Sequence, residues 1–263
     1  MPLLSIVVVT HKRSELLKRA LLSVTACKEQ NFEIILCSDD GCPKTMEIAK
    51  TMLRSQDSFI SIPGMNGPAD SRNIGAKISK GKWIMFLDDD DAFSENFISN
   101  LLKSLPNEKN KVIYFNYKKC LERRSEEEFE SIRIKPKDVS ALNINRLYVK
   151  NFIPIHAMVF SSEIFFSHEF DSRLQSHEDW DLLISLLSSS VEFEWMEFGD
   201  EGPIVNICSS KMTRNKNSNT ALDCLSIYRK WPNSDSKIRQ LRAKQLKKLG
   251  ISRFGIKIDE NTL

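Results

Sequence analysis

This 263-residue sequence lacks the features that identify membrane proteins, secreted proteins and cysteine-bound metal sites. No apolar run approaches the roughly 20 residues that a membrane-spanning helix needs. The start, MPLLSIVVVTHKR, has no basic segment followed by a long apolar stretch and a cleavage site, so it does not predict a signal peptide. The six cysteines are scattered and form no CxxC pair, which argues against a cysteine-bound metal. We therefore expect a cytoplasmic protein with reduced thiols.

No glycine- or serine-rich linker, low-complexity tract or internal repeat divides the chain. Apolar residues make up 41% and charged residues 28% of it, as in an ordinary globular protein of one large domain or two small ones. The charge is uneven, because residues 229–257 contain ten Lys or Arg and one acid, whereas the whole chain carries only +3. The sequence thus predicts an acidic body with a basic tail.

The first hundred residues alternate between strand and helix patterns. The first predicted strand, LLSIVVVT, is apolar throughout, as expected of a strand that is buried on both faces of a sheet. Such alternation predicts an α/β fold with a Rossmann-like, mostly parallel sheet flanked by helices. Strands are predicted over 3–10, 32–38, 58–62 and 82–87, and helices over 14–26, 42–53 and 69–81.

Polar clusters follow three of these strands, at residues 10–13, 39–41 and 88–91. Because ligands of parallel sheets bind beyond the carboxyl ends of the strands, these clusters should meet at one site. Arg72, near the start of the third helix, is expected beside the same edge, where its guanidinium could contact phosphate. Without a ligand, Arg72 could pair with the acidic run and Asp39 could simply form a turn. Together the clusters favour a nucleotide-diphosphate and metal site.

The run Asp88 to Asp91 is the strongest of these signals. Four adjacent carboxylates repel one another when ionised, so they need a cation or raised pKa values. On an extended strand, Asp88 and Asp90 would point to one side and Asp89 and Asp91 to the other. Carboxylate oxygens suit Mg²⁺ or Mn²⁺, with phosphate oxygens completing the coordination. A solvated acidic turn is the alternative interpretation.

Four segments in this order resemble the motif series of family 2 glycosyltransferases with the GT-A fold. They are SIVVVTHKR, EIILCSDDGC, NGPADSRNIGAKISKGKWIMFLDDDD and HEDWDLLISLL. The resemblance is strong over residues 3–105, moderate over 150–190 and weak beyond. It implies a GT-A domain over residues 1–220, with a nucleotide-sugar-binding half (1–105) and an acceptor-side half (106–220).

The resemblance also implies roles for the residues at the sheet edge. Asp90 would hold the metal that bridges the two phosphates, and Asp88 would face the ribose and nucleotide. Asp39 would contact the base. The nucleotide-sugar-binding residues implied in this way are Thr10, Arg13, Asp39, Arg72, Asp88 and Asp89.

The second half of the chain is expected to supply the acceptor side. HEDWDLLISLL predicts a helix whose first turn contains Glu178 and Asp179. Acidic residues commonly stabilise a helix N-terminus, so capping is one interpretation. The resemblance instead implies that Asp179 is the general base, with Glu178 and Trp180 on the acceptor side. A strand is predicted over 111–119, and the charged insert that follows it should form a surface hairpin or loop.

The histidines are expected to be structural rather than metal ligands. Some relatives use a C-terminal histidine as a further ligand, but this chain has none after His177. The metal would then depend on Asp90, phosphates and water. Three cations of the segment ICSSKMTRNKNSNT are predicted to close over the diphosphate: Lys211, Arg214 and Lys216.

The implied reaction is a single displacement on a nucleoside-diphosphate sugar, most simply a UDP- or dTDP-sugar. Metal and Arg72 would stabilise the departing diphosphate, while Asp179 removes the proton of an acceptor hydroxyl. A sugar nucleotidyltransferase is one rival, but it normally has a glycine-rich loop after the first strand, and VVVTHKRSE contains no glycine. A non-catalytic nucleotide- or carbohydrate-binding module is the other, and it would not need Asp179.

Residues 221–263 are predicted to form a basic helical tail. Ile238, Leu241, Leu246 and Leu249 should share one side of a helix, with Lys237, Lys244, Lys247 and Lys248 on the other. The helix could dock on the domain, or it could rest on an anionic membrane surface. The second alternative would suit a lipid-linked glycan acceptor, as in bacterial surface polysaccharide synthesis. Nucleic acid is not expected as a partner, because no aromatic residues interleave the basic ones.

Overall fold

The three-dimensional structure is a computed structural model. It describes residues 1–62, 64, 67–107, 110–125, 128–174, 176–209, 220–258 and 263. The strands are β1 (Leu4–Thr10), β2 (Phe32–Ser38), β3 (Ser58–Ser61), β4 (Trp83–Asp88), β5 (Ala92–Phe93), β6 (Lys111–Phe115), β7 (Tyr117–Arg124), β8 (Phe129–Lys137), β9 (Met158–Ser161), β10 (Glu192–Met196) and β11 (Pro203–Cys208). The α-helices are α1 (Ser14–Thr25), α2 (Pro43–Met52), α3 (Pro68–Ile78), α4 (Phe97–Ser104), α5 (Glu178–Ser188), α6 (Thr220–Lys230) and α7 (Ser236–Lys248).

Seven strands form a central sheet in the order β10-β6-β9-β4-β1-β2-β3. The strands β1, β2, β3 and β4 run parallel to one another, as do β6 and β10, whereas β9 is antiparallel to both strands beside it, β4 and β6. The register aligns Thr10 with Ser38 and Val9 with Asp88. The predicted mostly parallel sheet is therefore confirmed, and three polar clusters do follow strands that end at one edge.

Helices cover both faces of this sheet. Every residue of β1 is buried, because Ile6 and Val8 pack in the core shared with α1, α2 and α4, while Val7 and Val9 pack in the core under α3 and α5. Gly75 brings α3 close to β1, since a Cβ at this position would lie 2.3 Å from a methyl carbon of Val7. The continuous apolar pattern of the first strand thus follows from burial on both sides.

A second, smaller sheet has the order β5-β11-β7-β8. The strand predicted over 111–119 is interrupted at Asn116, so that β6 joins the central sheet and β7 joins the smaller one. Asn116 accepts a hydrogen bond from the backbone N–H of Val139 at 2.9 Å. The charged insert forms the hairpin β7–β8, whose second strand is almost fully exposed, as predicted for a surface hairpin.

The C-terminal helices α6 and α7 pack on α5 around a third apolar cluster. The exposed lysine face of α7 and the burial of Leu246 agree with the prediction, but the exposure of Leu241 does not. Leu241 is 49% exposed, whereas Arg242 is fully buried and donates hydrogen bonds to the backbone carbonyls of Tyr148 and Trp231. The helix is therefore docked on the domain through Arg242, Ala243 and Leu246. Within the described ranges, every helix is too short or too polar to cross a bilayer.

Candidate active site

A cavity of about 390 Å³ lies at the carboxyl ends of β1, β2 and β4, and we call it the strand-edge cavity. It collects residues from seven separate parts of the chain, several of which were visible in the sequence as short polar motifs. The predicted site residues that line it are Thr10, Arg13, Asp39, Arg72, Asp88, Glu178 and Asp179.

The acidic run does not continue as an extended strand. β4 ends at Asp88, residues 89 and 90 form a turn, and the backbone N–H of Asp91 donates to the carbonyl of Asp88 at 3.1 Å. The expectation that Asp88 and Asp90 point to one side is therefore wrong. The turn instead brings the side chains of Asp88 and Asp91 to the same cavity.

His156 completes this acidic corner. Asp88, Asp91 and His156 each offer a ligand atom, and these atoms lie within 4.8 Å of one another. His156 is only 2% exposed, and neither ring nitrogen has a hydrogen-bond partner among the described residues, although Nδ1 lies 3.2 Å from Oδ2 of Asp91. Burial lowers the pKa of His156 to about 4 and raises the pKa of Asp91. A neutral imidazole beside two carboxyl groups is a donor set that a divalent cation can use.

Asp89 and Asp90 have other partners. The carboxylate of Asp89 is buried beneath the cavity, where it accepts hydrogen bonds from Oγ1 of Thr10 at 2.8 Å and Nε of Arg13 at 3.1 Å. Asp90 accepts from Nη1 of Arg13 at 3.1 Å and lies 3.6 Å from Nη1 of Arg124. Neither side chain lines the strand-edge cavity. Asp89 thus fixes Thr10 and Arg13, and Asp90 is not brought to the corner formed by Asp88, Asp91 and His156.

Asp39 follows β2 and lines the cavity. Its Oδ1 is 2.6 Å from Nδ1 of His11, and the neighbouring Asp40 accepts from the backbone N–H of Cys42 at 2.8 Å, at the start of α2. The turn interpretation therefore describes Asp40, whereas Asp39 faces the cavity with a hydrogen-bonded histidine.

Arg72 links the two halves of the site. Its guanidinium donates to Oδ1 of Asp88 at 2.6 Å and to Oε1 of Glu178 at 2.7 Å, and the residue is 4% exposed. Although burial opposes the charged form, Asp88 and Glu178 raise the pKa of Arg72. In turn, Arg72 lowers the pKa of Asp88 against the opposing effect of burial. A permanently charged guanidinium therefore holds the end of β4 against the start of α5.

The start of α5 presents Asp179 to the cavity. The residue before the helix, His177, has a left-handed conformation with φ 63°, which is uncommon for a residue other than glycine. The Asp179 carboxylate accepts from Nδ2 of Asn151 at 2.9 Å. Burial, followed by the nearby charge of Glu178, raises the pKa of Asp179 to about 7. That pKa suits a group that accepts a proton near neutral pH.

Asp179 also lines a second cavity, of about 590 Å³. We call it the basic cavity, because Lys119, Lys137, Arg146 and Lys150 lie in its wall. The two cavities share Pro154, Ser176, His177, Asp179 and Val205. They therefore form one continuous groove with the Asp179 carboxylate at the junction.

Two further predictions concern Trp180 and the basic segment near residue 214. Trp180 is 1% exposed, donates from its indole nitrogen to the carbonyl of Leu147 at 2.6 Å and packs on Tyr228, so it belongs to the core and not to either cavity. The segment with Lys211, Arg214 and Lys216 lies outside the described residues. Sequence reasoning missed Asn151 entirely and assigned His156 to structure, because neither residue stands in a local motif.

Comparisons with known proteins identify relatives in sequence and in structure. The model of the family described as glycosyl transferase family 2 matches residues 5–166. An uncharacterized glycosyltransferase of Haemophilus influenzae is 29% identical over 187 residues, which cover 70% of this chain and 62% of that protein. The Escherichia coli UDP-Glc:alpha-D-GlcNAc-diphosphoundecaprenol beta-1,3-glucosyltransferase WfaP is 32% identical over 117 residues, or 44% of this chain and 47% of WfaP.

The fold is also found among solved structures. The structure of S. aureus TarS 1-349 in complex with UDP-GlcNAc superimposes with a TM-score of 0.66 at 14% sequence identity, covering 99% of this chain and 77% of TarS 1-349. The matched segments span only part of the two bacterial relatives, whereas the family model spans more than half of this chain. The chain therefore belongs to glycosyl transferase family 2 and has the GT-A fold.

Proposed function

We propose that this protein transfers a sugar from a nucleoside-diphosphate sugar to a hydroxyl of a glycan acceptor, with inversion at the anomeric carbon. The observation that carries the proposal is Asp179, a partly buried carboxyl group with a raised pKa at the junction of two cavities. A general base must reach the acceptor hydroxyl while the donor lies on the opposite side of the reacting carbon. The junction offers that arrangement.

The strand-edge cavity is the proposed donor side. Asp39 with its partner His11 would contact the base, and Thr10 and Arg13 would line the nucleotide, held in place by the buried Asp89. A UDP-linked donor is favoured, since WfaP is named for UDP-Glc and TarS was solved with UDP-GlcNAc. A dTDP-sugar remains part of the proposal because the cavity lining by itself does not distinguish the two pyrimidines.

The reaction itself needs one base and stabilisation of one leaving group. The acceptor oxygen forms a bond to the anomeric carbon, and its proton passes to the Asp179 carboxylate. The bond from that carbon to the diphosphate oxygen breaks, and its electron pair leaves with the nucleoside diphosphate. Arg72, already charged and buried, would face the negative charge that grows on this oxygen.

A divalent cation, Mg²⁺ or Mn²⁺, is proposed to bind at Asp88, Asp91 and His156 rather than at Asp90. The orphaned nitrogens of the buried His156 and the proximity of two carboxyl groups support this fit. Mg²⁺ prefers an all-oxygen octahedral shell, so an imidazole ligand favours Mn²⁺. When bound, such an ion would supply positive charge to the diphosphate.

The acceptor is proposed to be a lipid-linked glycan of bacterial surface polysaccharide synthesis, because WfaP is named for a diphosphoundecaprenol-linked acceptor. Peripheral membrane contact through the exposed lysines of α7 would suit such an acceptor. Co-sedimentation with anionic vesicles at low salt tests this contact. Unchanged vesicle binding after truncation at Trp231 would assign the contact elsewhere.

A nucleotide-sugar panel tests the function directly. The full chain is incubated with each donor and Mn²⁺, and the released nucleotide is identified. Free UDP or dTDP supports sugar transfer, and release of pyrophosphate would instead indicate a nucleotidyltransferase. Binding of a donor without any turnover, with and without a panel of glycan acceptors, would favour a non-catalytic binding module.

A further inference from the structure

The wall of the basic cavity contains four cations and two carboxyl groups, those of Asp138 and Asp179. Its four cations, Lys119, Lys137, Arg146 and Lys150, come from two strands and from the segment that follows β8. Among the residues that the structure describes, none of these four side chains forms an ion pair with a carboxylate. Burial, followed by repulsion from Lys137 and Lys150, lowers the pKa of Lys119. The cations thus repel one another within a single concave surface.

Strand register explains how the cations come together. In the β7–β8 hairpin, Lys119 pairs with Lys135, and Tyr117 pairs with Lys137. Alternation places these four side chains on one face of the hairpin and Lys118 on the other. Like charges directly opposite each other destabilise a strand pair. Folding alone therefore does not favour this arrangement, whereas a bound anion would compensate it.

We propose that the basic cavity is a phosphate subsite that binds a phosphate or diphosphate group on the acceptor. This inference rests on the proposed function and adds the chemical class of the acceptor. Arg146 would form the forked contact with phosphate oxygens, and the lysines would act as point charges. Because Asp179 lines the same cavity, the anionic group would lie close to the sugar whose hydroxyl reacts. A neutral glycan would leave the excess of these four cations over Asp138 and Asp179 uncompensated.

The test uses the full chain, saturated with UDP, and inorganic pyrophosphate as the probe. Isothermal titration at a fixed free Mg²⁺ concentration should detect pyrophosphate binding in the presence of UDP. The double variant Lys119→Gln/Lys150→Gln should bind pyrophosphate about tenfold more weakly or worse, because it loses two charge-assisted contacts. Lys118→Gln is the matched control, on the same strand but the opposite face, and should bind as the wild type does.

UDP binding by each variant distinguishes a misfolded protein from a folded protein that has lost only the phosphate subsite. If the double variant binds UDP normally, it is folded and its donor side is intact. Pyrophosphate that binds only by displacing UDP would overturn the subsite and leave the proposed function standing. Failure of the wild type to bind any nucleotide or nucleotide sugar would instead remove the proposed function. The exposed Lys137→Gln provides a second variant if the double substitution does not fold.

Two further arms identify the source of the phosphate. One sugar is offered as its 1-diphosphate and as its neutral methyl glycoside, and the diphosphate should have a KM about tenfold lower in the wild type but not in the double variant. The other arm uses phosphatidylglycerol vesicles. Loss of vesicle binding in the double variant, without any binding of pyrophosphate or preference for the diphosphate acceptor, would assign the cations to a lipid surface and overturn the proposal.

Discussion

The two cavities that meet at Asp179 differ in whether their cationic side chains are paired with carboxylates. In the strand-edge cavity, each arginine is already neutralised: Arg13 by Asp89 and Asp90, and Arg72 by Asp88 and Glu178. In the basic cavity, the described cations have no carboxylate partners. An anion can therefore enter the basic cavity without breaking an ion pair, whereas a diphosphate in the strand-edge cavity must compete with carboxylates.

This difference indicates where a metal ion is needed. Competition with carboxylates is relieved if a divalent cation joins the acidic corner of Asp88, Asp91 and His156, because the added charge offsets that of the incoming diphosphate. The basic cavity needs no metal ion to bind an anion, because its cations are not paired with carboxylates. The comparison thus predicts that substitutions on the two sides of Asp179 affect different ligands.

Asp179→Asn gives the largest expected effect on turnover. The amide keeps the shape of the side chain but cannot accept the proton, so transfer should fall by about 10²–10⁴-fold. UDP binding should change little, because the base acts on the acceptor. Steady-state transfer and UDP titration measure the two properties. Asp200→Asn, at an exposed acid, is the control, and normal transfer by Asp179→Asn would show that the base lies elsewhere.

Arg72→Met should cause the largest loss of stability. Removal of the guanidinium leaves Asp88 and Glu178 near each other without their shared cation, and breaking such a buried pair costs about 3–5 kcal/mol. Denaturant unfolding measures the free energy. Arg173→Met removes an arginine whose side chain is exposed, and it should leave the free energy of unfolding almost unchanged. Equal effects of the two substitutions would contradict a structural role for Arg72.

His156→Ala should weaken Mn²⁺ binding by at least about 10–100-fold, which is the range seen when groups supporting a metal site are lost. Asp90→Asn should have a much smaller effect, because this carboxylate pairs with Arg13 and Arg124. Titration of Mn²⁺ into the UDP complex compares the two variants. The opposite ranking would restore Asp90 as the ligand, and full activity of the wild type in excess EDTA would remove the metal from the reaction.

The pH dependence should reflect Asp179. Its pKa is raised by burial and by Glu178, and only the ionised carboxylate can accept a proton. Activity should therefore be lost as the pH falls through this raised pKa, with kcat/KM decreasing about tenfold per pH unit on the acidic side. A rate that is constant down to pH 5 would contradict the assignment of Asp179.

Local patterns in the sequence identified most of the central sheet. The apolar run of β1 and the polar residues after β1, β2 and β4 specify burial and the sheet edge, and both are properties of a few adjacent residues. The turn after Asp88 was considered only as an alternative, because strand alternation was extended past the end of the strand. This turn determines which of the four carboxyl groups face the same cavity, and no residue pattern in the sequence predicts it.

Other features depend on contacts between distant segments. His156 reaches the acidic corner through the antiparallel strand β9, and its chemistry depends on burial that no short motif encodes. The basic cavity depends on the β7–β8 register and on Lys150, which lies well beyond the hairpin. Arg242 is buried where an apolar contact of Leu241 was predicted, and backbone carbonyls accept hydrogen bonds from its Nε and Nη1 atoms. Such pairings are set by tertiary structure rather than by local propensity.

A crystal structure of Asp179→Asn with UDP and Mn²⁺ would test the assignment of the two cavities most directly. We expect the diphosphate in the strand-edge cavity beside Arg72, with Mn²⁺ in contact with Asp88, Asp91 and His156. The basic cavity should remain free of the nucleotide. A diphosphate bound to Lys119 and Lys150 instead would exchange the donor and acceptor sides and contradict the assignment.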